Sequence, residues 1–181
     1  MTEEQLIEGC KKQDNNARRC LYEQYARKMF ALSYRYVNDY DVAQDVLQDG
    51  FLKVYERVHG FMYQGSLEGW MKRIFVNTAL DHLRKQKYHV SVEEIALKDE
   101  IEQQDDLAEG SSDISSEILM SMLQKLPKGY ATVFNLLAVE EYSSKEVAAM
   151  LDITEGGVRS QYARARKMLI KMVREYQIQN G

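Results

Sequence analysis

Apolar positions recur every three or four residues along most of this 181-residue chain, and polar clusters interrupt them at intervals. A short helix is predicted from Thr2, which makes a capping box with Gln5, to about Lys12; the polar run QDNN at 13–16 breaks it. A long helix follows from about Ala17 to Val37 and ends at NDYD, 38–41. The next runs from about Asp41 to Val58. Leu47, Phe51, Val54 and Val58 fall on it at i, i+4, i+7 and i+11, the spacing of a buried stripe. HGFMYQGSLEG at 59–69 reads as a glycine-bracketed loop rich in aromatics, and a helix from about Leu67 to Tyr88 closes this block.

Residues 90–115 break the pattern. They are acidic and polar, end in EGSSDISS, and lack the apolar content for a core, so they read as a linker. Beyond it, helices are expected over about Ser116–Leu126, stopped by Pro127, and over about Gly129–Val139. The fold class predicted is therefore all-α: two small helical domains, 1–89 and 116–181, joined by an acidic linker.

The segment YSSKEVAAMLDITEGGVRSQYARARKML at 142–169 has the pattern of a helix-turn-helix. Ser143 and Glu146 are spaced as a capping box. Val147, Ala148 and Leu151 form the inner face of the first helix. Asp152 stands at the tight turn, where it tolerates the left-handed conformation better than most residues. Thr154 suits the N-cap of the second helix. Val158, Tyr162, Ala165, Leu169 and Met172 make its apolar stripe, and Arg159, Ser160, Gln161, Arg164, Arg166 and Lys167 are expected on the opposite face. From Glu155 to Arg174, six basic residues stand against one acid, 6 − 1 = +5. Such a helix can enter the DNA major groove, with salt-dependent affinity. Gly156 and Gly157 would let a phosphate approach its N-terminus closely.

The net charge of −4 does not contradict this. Residues 90–118 hold ten acids and one base, Lys98, a local charge of −9, so the remainder carries −4 + 9 = +5. No signal peptide, membrane-spanning run or lipidation motif is read, so a cytoplasmic protein without membrane insertion is expected. Cys10 and Cys20 lack CxxC spacing and read as reduced thiols. His59, His82 and His89 are scattered, so no metal site is expected.

The helix of residues 67–88 is the second candidate surface. Residues 71–89 carry Lys72, Arg73, Arg84, Lys85 and Lys87 against Asp81, 5 − 1 = +4. Asn77, Asp81 and Arg84 share one face, and the preceding loop supplies Phe61, Tyr63, Gln64 and Ser66. Cations beside an aromatic loop suit single-stranded DNA or a flipped base. Trp70 and Phe75 are expected in the core, and for Phe61, Tyr63 and Gln64 a core role stands open beside the contact one. Asp41, Asp45, Gln48 and Asp49 give the 41–58 helix an acidic face, which is either solvated or a dock for a basic partner helix.

Taken together, these segments resemble bacterial RNA polymerase sigma factors of the extracytoplasmic-function type, from about Ala17 to Leu169. DVAQDVLQDGFLKVYERV at 41–58 is similar to the family's core-polymerase-binding helix. GWMKRIFVNTALDHLRKQK at 69–87 is similar to the helix that reads the −10 element, and residues 126–169 to the −35-binding domain. The resemblance implies core-polymerase contacts from Asp41, Asp45, Gln48, Asp49, Phe51, Leu52 and Tyr55. It implies −10 contacts from Phe61, Tyr63, Gln64, Ser66, Arg73, Asn77, Asp81, Arg84, Lys85 and Lys87. It implies −35 contacts from Thr154, Glu155, Gly157, Arg159, Ser160, Gln161, Arg164 and Lys167. Core RNA polymerase, promoter DNA and an anti-sigma factor are the implied partners, with no cofactor and no catalytic residue.

The chain departs from the family pattern in places. Gly50 stands where a larger residue is usual and is expected to loosen its helix. Ala131 replaces a commonly basic residue, Asp152 the usual turn glycine, and Gly157 a Thr or Ser that contacts phosphate. Gln161 stands where many members carry Arg. The rival readings are a stand-alone helix-turn-helix regulator, a nuclease and a structural adaptor. The nuclease lacks a convincing carboxylate or nucleophile constellation, and the adaptor leaves two basic helices unexplained.

Overall fold

The computed structural model describes residues 1–86 and 114–181, which belong to two compact units. Among them every regular element is helical. The expected linker falls almost wholly on residues outside this description.

In the first unit, α1 (Glu3–Lys11) opens with the capping box of Thr2 and Gln5. Gln13 then turns into the left-handed region (φ 60°), and Asp14 caps α2 (Asn15–Val37) by accepting from the Asn16 N–H at 2.9 Å. Asn38 ends α2 at φ 50°, ψ 34°, and Asp39 caps α3 (Tyr40–Arg57) through the Val42 N–H. A 3-10 turn, Val58–Gly60, and an irregular loop lead to α4 (Leu67–Lys85), capped by Ser66. Helices α2, α3 and α4 pack on one another, with α1 against α2. Leu21, Met29 and Leu32 of α2 supply the core, with Val46, Phe51 and Val54 of α3 and Met71, Phe75 and Val76 of α4. The predicted stripe Leu47, Phe51, Val54, Val58 is buried throughout.

One glycine is set by packing. A Cβ added at Gly50 would stand 2.6 Å from Cδ1 of Phe75, and nearer still to Cε1 of the same ring. Phe75 is fully buried and meets Phe51 edge-on at 5.2 Å. Gly50 therefore admits the ring of α4 against the backbone of α3; it is a site of close approach rather than of looseness.

The second unit contains α5 (Ser116–Lys125), α6 (Lys128–Phe134), a π-turn (Asn135–Val139), α7 (Ser144–Leu151) and α8 (Glu155–Asn180). The helix expected over 129–139 changes character midway. Glu140 N–H reaches back five residues to Asn135 O at 2.9 Å, and this wider turn carries buried Asn135 and Leu136. Met122, Leu123 and Leu126 pack with Ala165 and Leu169 of α8.

Candidate nucleic-acid interfaces and docking surface

The helix-turn-helix of the second unit is built by local chemistry. Ser143 and Glu146 complete the capping box of α7. Asp152 ends that helix at φ 54°, ψ 48°, with its N–H on Ala148 O. Thr154 Oγ1 accepts from the Gly157 N–H at 3.0 Å and starts α8. The outer face of α8 exposes Glu155, Gly156, Arg159, Ala163, Lys167 and Lys171, with Ser160 half-buried beside them. Glu155 lies 3.8 Å from Arg159, an exposed pair of little energetic weight. Arg164 is half-buried and donates to the hydroxyl of Tyr130, on α6, at 3.4 Å.

Two of the expected −35 contacts lie inside. Gln161 is 2 % exposed, because it follows Val158 by three residues and precedes Ala165 by four, and both of those are fully buried. Its Oε1 is buried with no hydrogen-bond partner. Gly157 is also buried, and its N–H serves the Thr154 cap rather than a phosphate. Gly156 is the exposed glycine of that turn.

The α4 face is continuous. Arg73, Asn77, Asp81 and Arg84 follow at intervals of four, four and three; Asp81 is partly exposed, the others exposed. Arg84 pairs with Asp81 at 3.0 Å, and Lys53 of α3 approaches Asp81 at 3.4 Å and the Thr78 hydroxyl at 3.2 Å. Lys85 is exposed, and Lys87 lies outside the described residues. In the preceding loop Tyr63 and Gln64 are exposed. Phe61 is not: it is buried between Tyr63 and Trp70, at ring distances of 5.2 and 5.3 Å, and anchors the loop from beneath. Ser66 is exposed, and its Oγ accepts from Gly69 N–H as the α4 cap. Phe75 is core, and Trp70 is half-buried.

On α3, Asp41, Asp45, Gln48 and Leu52 form one exposed row at i, i+4, i+7 and i+11. Leu52 is 59 % exposed, an apolar side chain set in a polar row. The other members of the expected set are buried or engaged within the first unit. Phe51 is a core residue, 4.8 Å from the Tyr22 ring and 5.2 Å from Phe75. Tyr55 is half-buried and donates to the Arg18 carbonyl at 3.0 Å, with the Arg18 guanidinium 5.3 Å from its ring centre. Burial pushes the Tyr55 phenol up to about 12. Asp49 is partly exposed and accepts from His82 Nε2 of α4 at 2.7 Å. Sequence reasoning overlooked His82, whose partner is 33 residues away and carries no local signal.

Residues 21–88 match sigma-70 region 2, and residues 116–169 match sigma-70 region 4. The chain is 31 % identical over 180 residues to the ECF RNA polymerase sigma-E factor of Haemophilus influenzae, covering 93 % of this chain and 94 % of the relative. It is 28 % identical over 179 residues to the ECF RNA polymerase sigma factor SigW of Bacillus subtilis, covering 93 % and 95 %. In fold it resembles the sigma factor RpoE solved with the anti-sigma factor NepR from Bartonella quintana. That likeness has a TM-score of 0.52 at 19 % identity and covers 86 % of this chain and 96 % of that one. The chain belongs to the sigma-70 family, within its extracytoplasmic-function branch of RNA polymerase sigma factors.

Proposed function

We propose that this protein docks on core RNA polymerase through the exposed row of α3, reads an unpaired −10 strand with α4 and the loop before it, and reads −35 duplex with α8. It is a promoter-recognition subunit with no catalytic chemistry of its own, acting in the cytoplasm. A protein antagonist of the anti-sigma kind is a further partner, a reading supported by the structural neighbour solved with one.

The observation that carries this reading is that each unit presents an exposed polar and basic helix face, Arg73–Asn77–Arg84 on α4 and Arg159–Lys167–Lys171 on α8. One chain thereby has two nucleic-acid faces of different kinds: the first beside an exposed loop, the second on a groove-sized helix. Capturing an unstacked base costs a few kcal/mol, which backbone contacts and polymerase docking offset. Bidentate arginine–guanine contacts on the −35 side would discriminate by about 1–3 kcal/mol each.

The test is in vitro transcription with purified core polymerase on a promoter library. Arg159→Ala and Arg164→Ala should weaken −35 use. Asp49→Ala should weaken core association and leave binding to isolated duplex unchanged. Tight duplex binding without polymerase, together with no association with core, would instead identify a stand-alone regulator.

A further inference from the structure

The loop between the 3-10 turn and α4 is held by α1, a helix outside the residues that match region 2. Tyr63 sits at φ 58°, a left-handed conformation that an L-residue keeps only where its surroundings hold it. Its hydroxyl donates to Glu8 Oε1 at 2.9 Å. Lys11 Nζ donates to the same carboxylate oxygen at 3.0 Å and stands 5.0 Å from the centre of the Tyr63 ring. Four residues on, the Leu67 N–H donates to Glu3 Oε1 at 3.4 Å. The middle of the loop and the first residue of α4 are thus both tied to α1. The hydrogen bonds from Lys11 and Tyr63 hold the Glu8 carboxyl below the usual carboxylate range, so the acceptor is ionised at neutral pH.

The hydroxyl of Tyr63 is therefore engaged, Lys11 stands close to its ring, and buried Phe61 lies against it at 5.2 Å. A base stacking on Tyr63 would have to compete with Lys11. The neighbouring side chains are exposed as well, Met62 more fully than Tyr63, at 71 % against 48 %, and Gln64 beside them.

We propose that Tyr63 is a positioning residue, locked by Glu8 and Lys11 of α1, and that Met62 and Gln64, rather than the Tyr63 ring, meet the unpaired −10 base. This rests on the reading of the loop as a −10 contact. It gives α1 a part in promoter choice. Met62 would offer a polarizable, apolar surface to the base face, and Gln64 an amide to its hydrogen-bonding edge.

The experiment uses holoenzyme assembled from core polymerase and the full chain. It measures open-complex formation on promoters carrying each base at each −10 position. Tyr63→Phe keeps the ring and loses the donor; Glu8→Ala loses the acceptor. Each should lower −10-dependent opening about threefold, the scale of one exposed charged contact, and the double variant should be no worse than either. Glu8→Gln, which retains an acceptor oxygen, should recover most of the loss; core affinity should not move, and the thermal midpoint should fall by no more than a few degrees. Met62→Ala and Gln64→Ala should change which −10 base is preferred. The proposal is overturned if Tyr63→Phe and Glu8→Ala match wild type while Tyr63→Ala is defective, because the ring would then be the platform. A different pattern, in which no loop variant alters −10 preference, would overturn the −10 reading and this inference with it.

Discussion

Asp49 on α3 and His82 on α4 are joined by a 2.7 Å hydrogen bond that links the helix carrying the exposed acidic row to the helix carrying the basic one. One carboxylate oxygen is committed to this bond, so removing Asp49 changes two things at once. His82→Ala separates them, because it breaks the bond and leaves the acidic row untouched. Both His82→Ala and Asp49→Ala should destabilise the first unit by about 1 kcal/mol, the usual net value of such a bond. Only Asp49→Ala should also weaken core association. Denaturant midpoints and a titration against core polymerase check this. Equal losses of core affinity would mean that Asp49 acts by placing α4, not by touching polymerase.

Gly50 and Phe75 give a sharper test, since two effects oppose each other. Alanine at position 50 would favour the helix by about 1 kcal/mol relative to glycine. It would also drive a methyl into a buried ring that already stands 2.6 Å from the added carbon. Overpacking of that kind costs about 1–3 kcal/mol, so the net change should be destabilising. Gly50→Ala should lower the denaturant midpoint, and Phe75→Leu in the same chain should recover part of the loss. A more stable Gly50→Ala would show that the ring has room to move.

Gln161 separates stability from recognition. A buried amide oxygen without a partner is a cost, and an apolar side chain of similar size removes it. Gln161→Met should raise stability by about 1 kcal/mol and leave −35 sequence preference unchanged. Arg159→Ala should do the reverse, weakening −35 use at unchanged stability. Promoter selection on a randomised −35 element, run beside thermal melts, distinguishes the two. A shifted preference in Gln161→Met would return this residue to the DNA face.

What could be read from the sequence was local. The capping boxes Thr2–Gln5 and Ser143–Glu146, the left-handed turn at Asp152 and the Thr154 cap each depend on neighbours within a few residues, and all four are present. What escaped needed a second helix. The polarity of Gln161 points outward, but its spacing from Val158 and Ala165 turns it inward. Gly50 reads as a weak point in α3 alone, because the ring that needs it belongs to α4. Phe61 and Phe51 sit among candidate contact residues in the sequence, but core packing claims both rings. The π-turn at Asn135–Val139 has no period that separates it from an ordinary helical turn.

Tyr55 makes stability depend on alkaline pH, and the sign follows from its environment. Burial is the main reason its phenol is pushed from 10.0 to about 12. In the folded state the proton is therefore held more tightly than in the unfolded chain, and the neutral hydroxyl donates to Arg18 O at 3.0 Å. The stabilisation is fully present below pH 10, declines as pH rises, and is lost above about 12. Tyr55→Phe lacks both the hydroxyl and this titration. It should be less stable than wild type by about 1 kcal/mol at neutral pH, and the gap should close between pH 10 and about 12. Urea midpoints of the two proteins across that interval measure the difference while the remaining tyrosines cancel. A gap that stays constant through the interval would mean that the Tyr55 hydroxyl meets water more freely than its bond to Arg18 O implies.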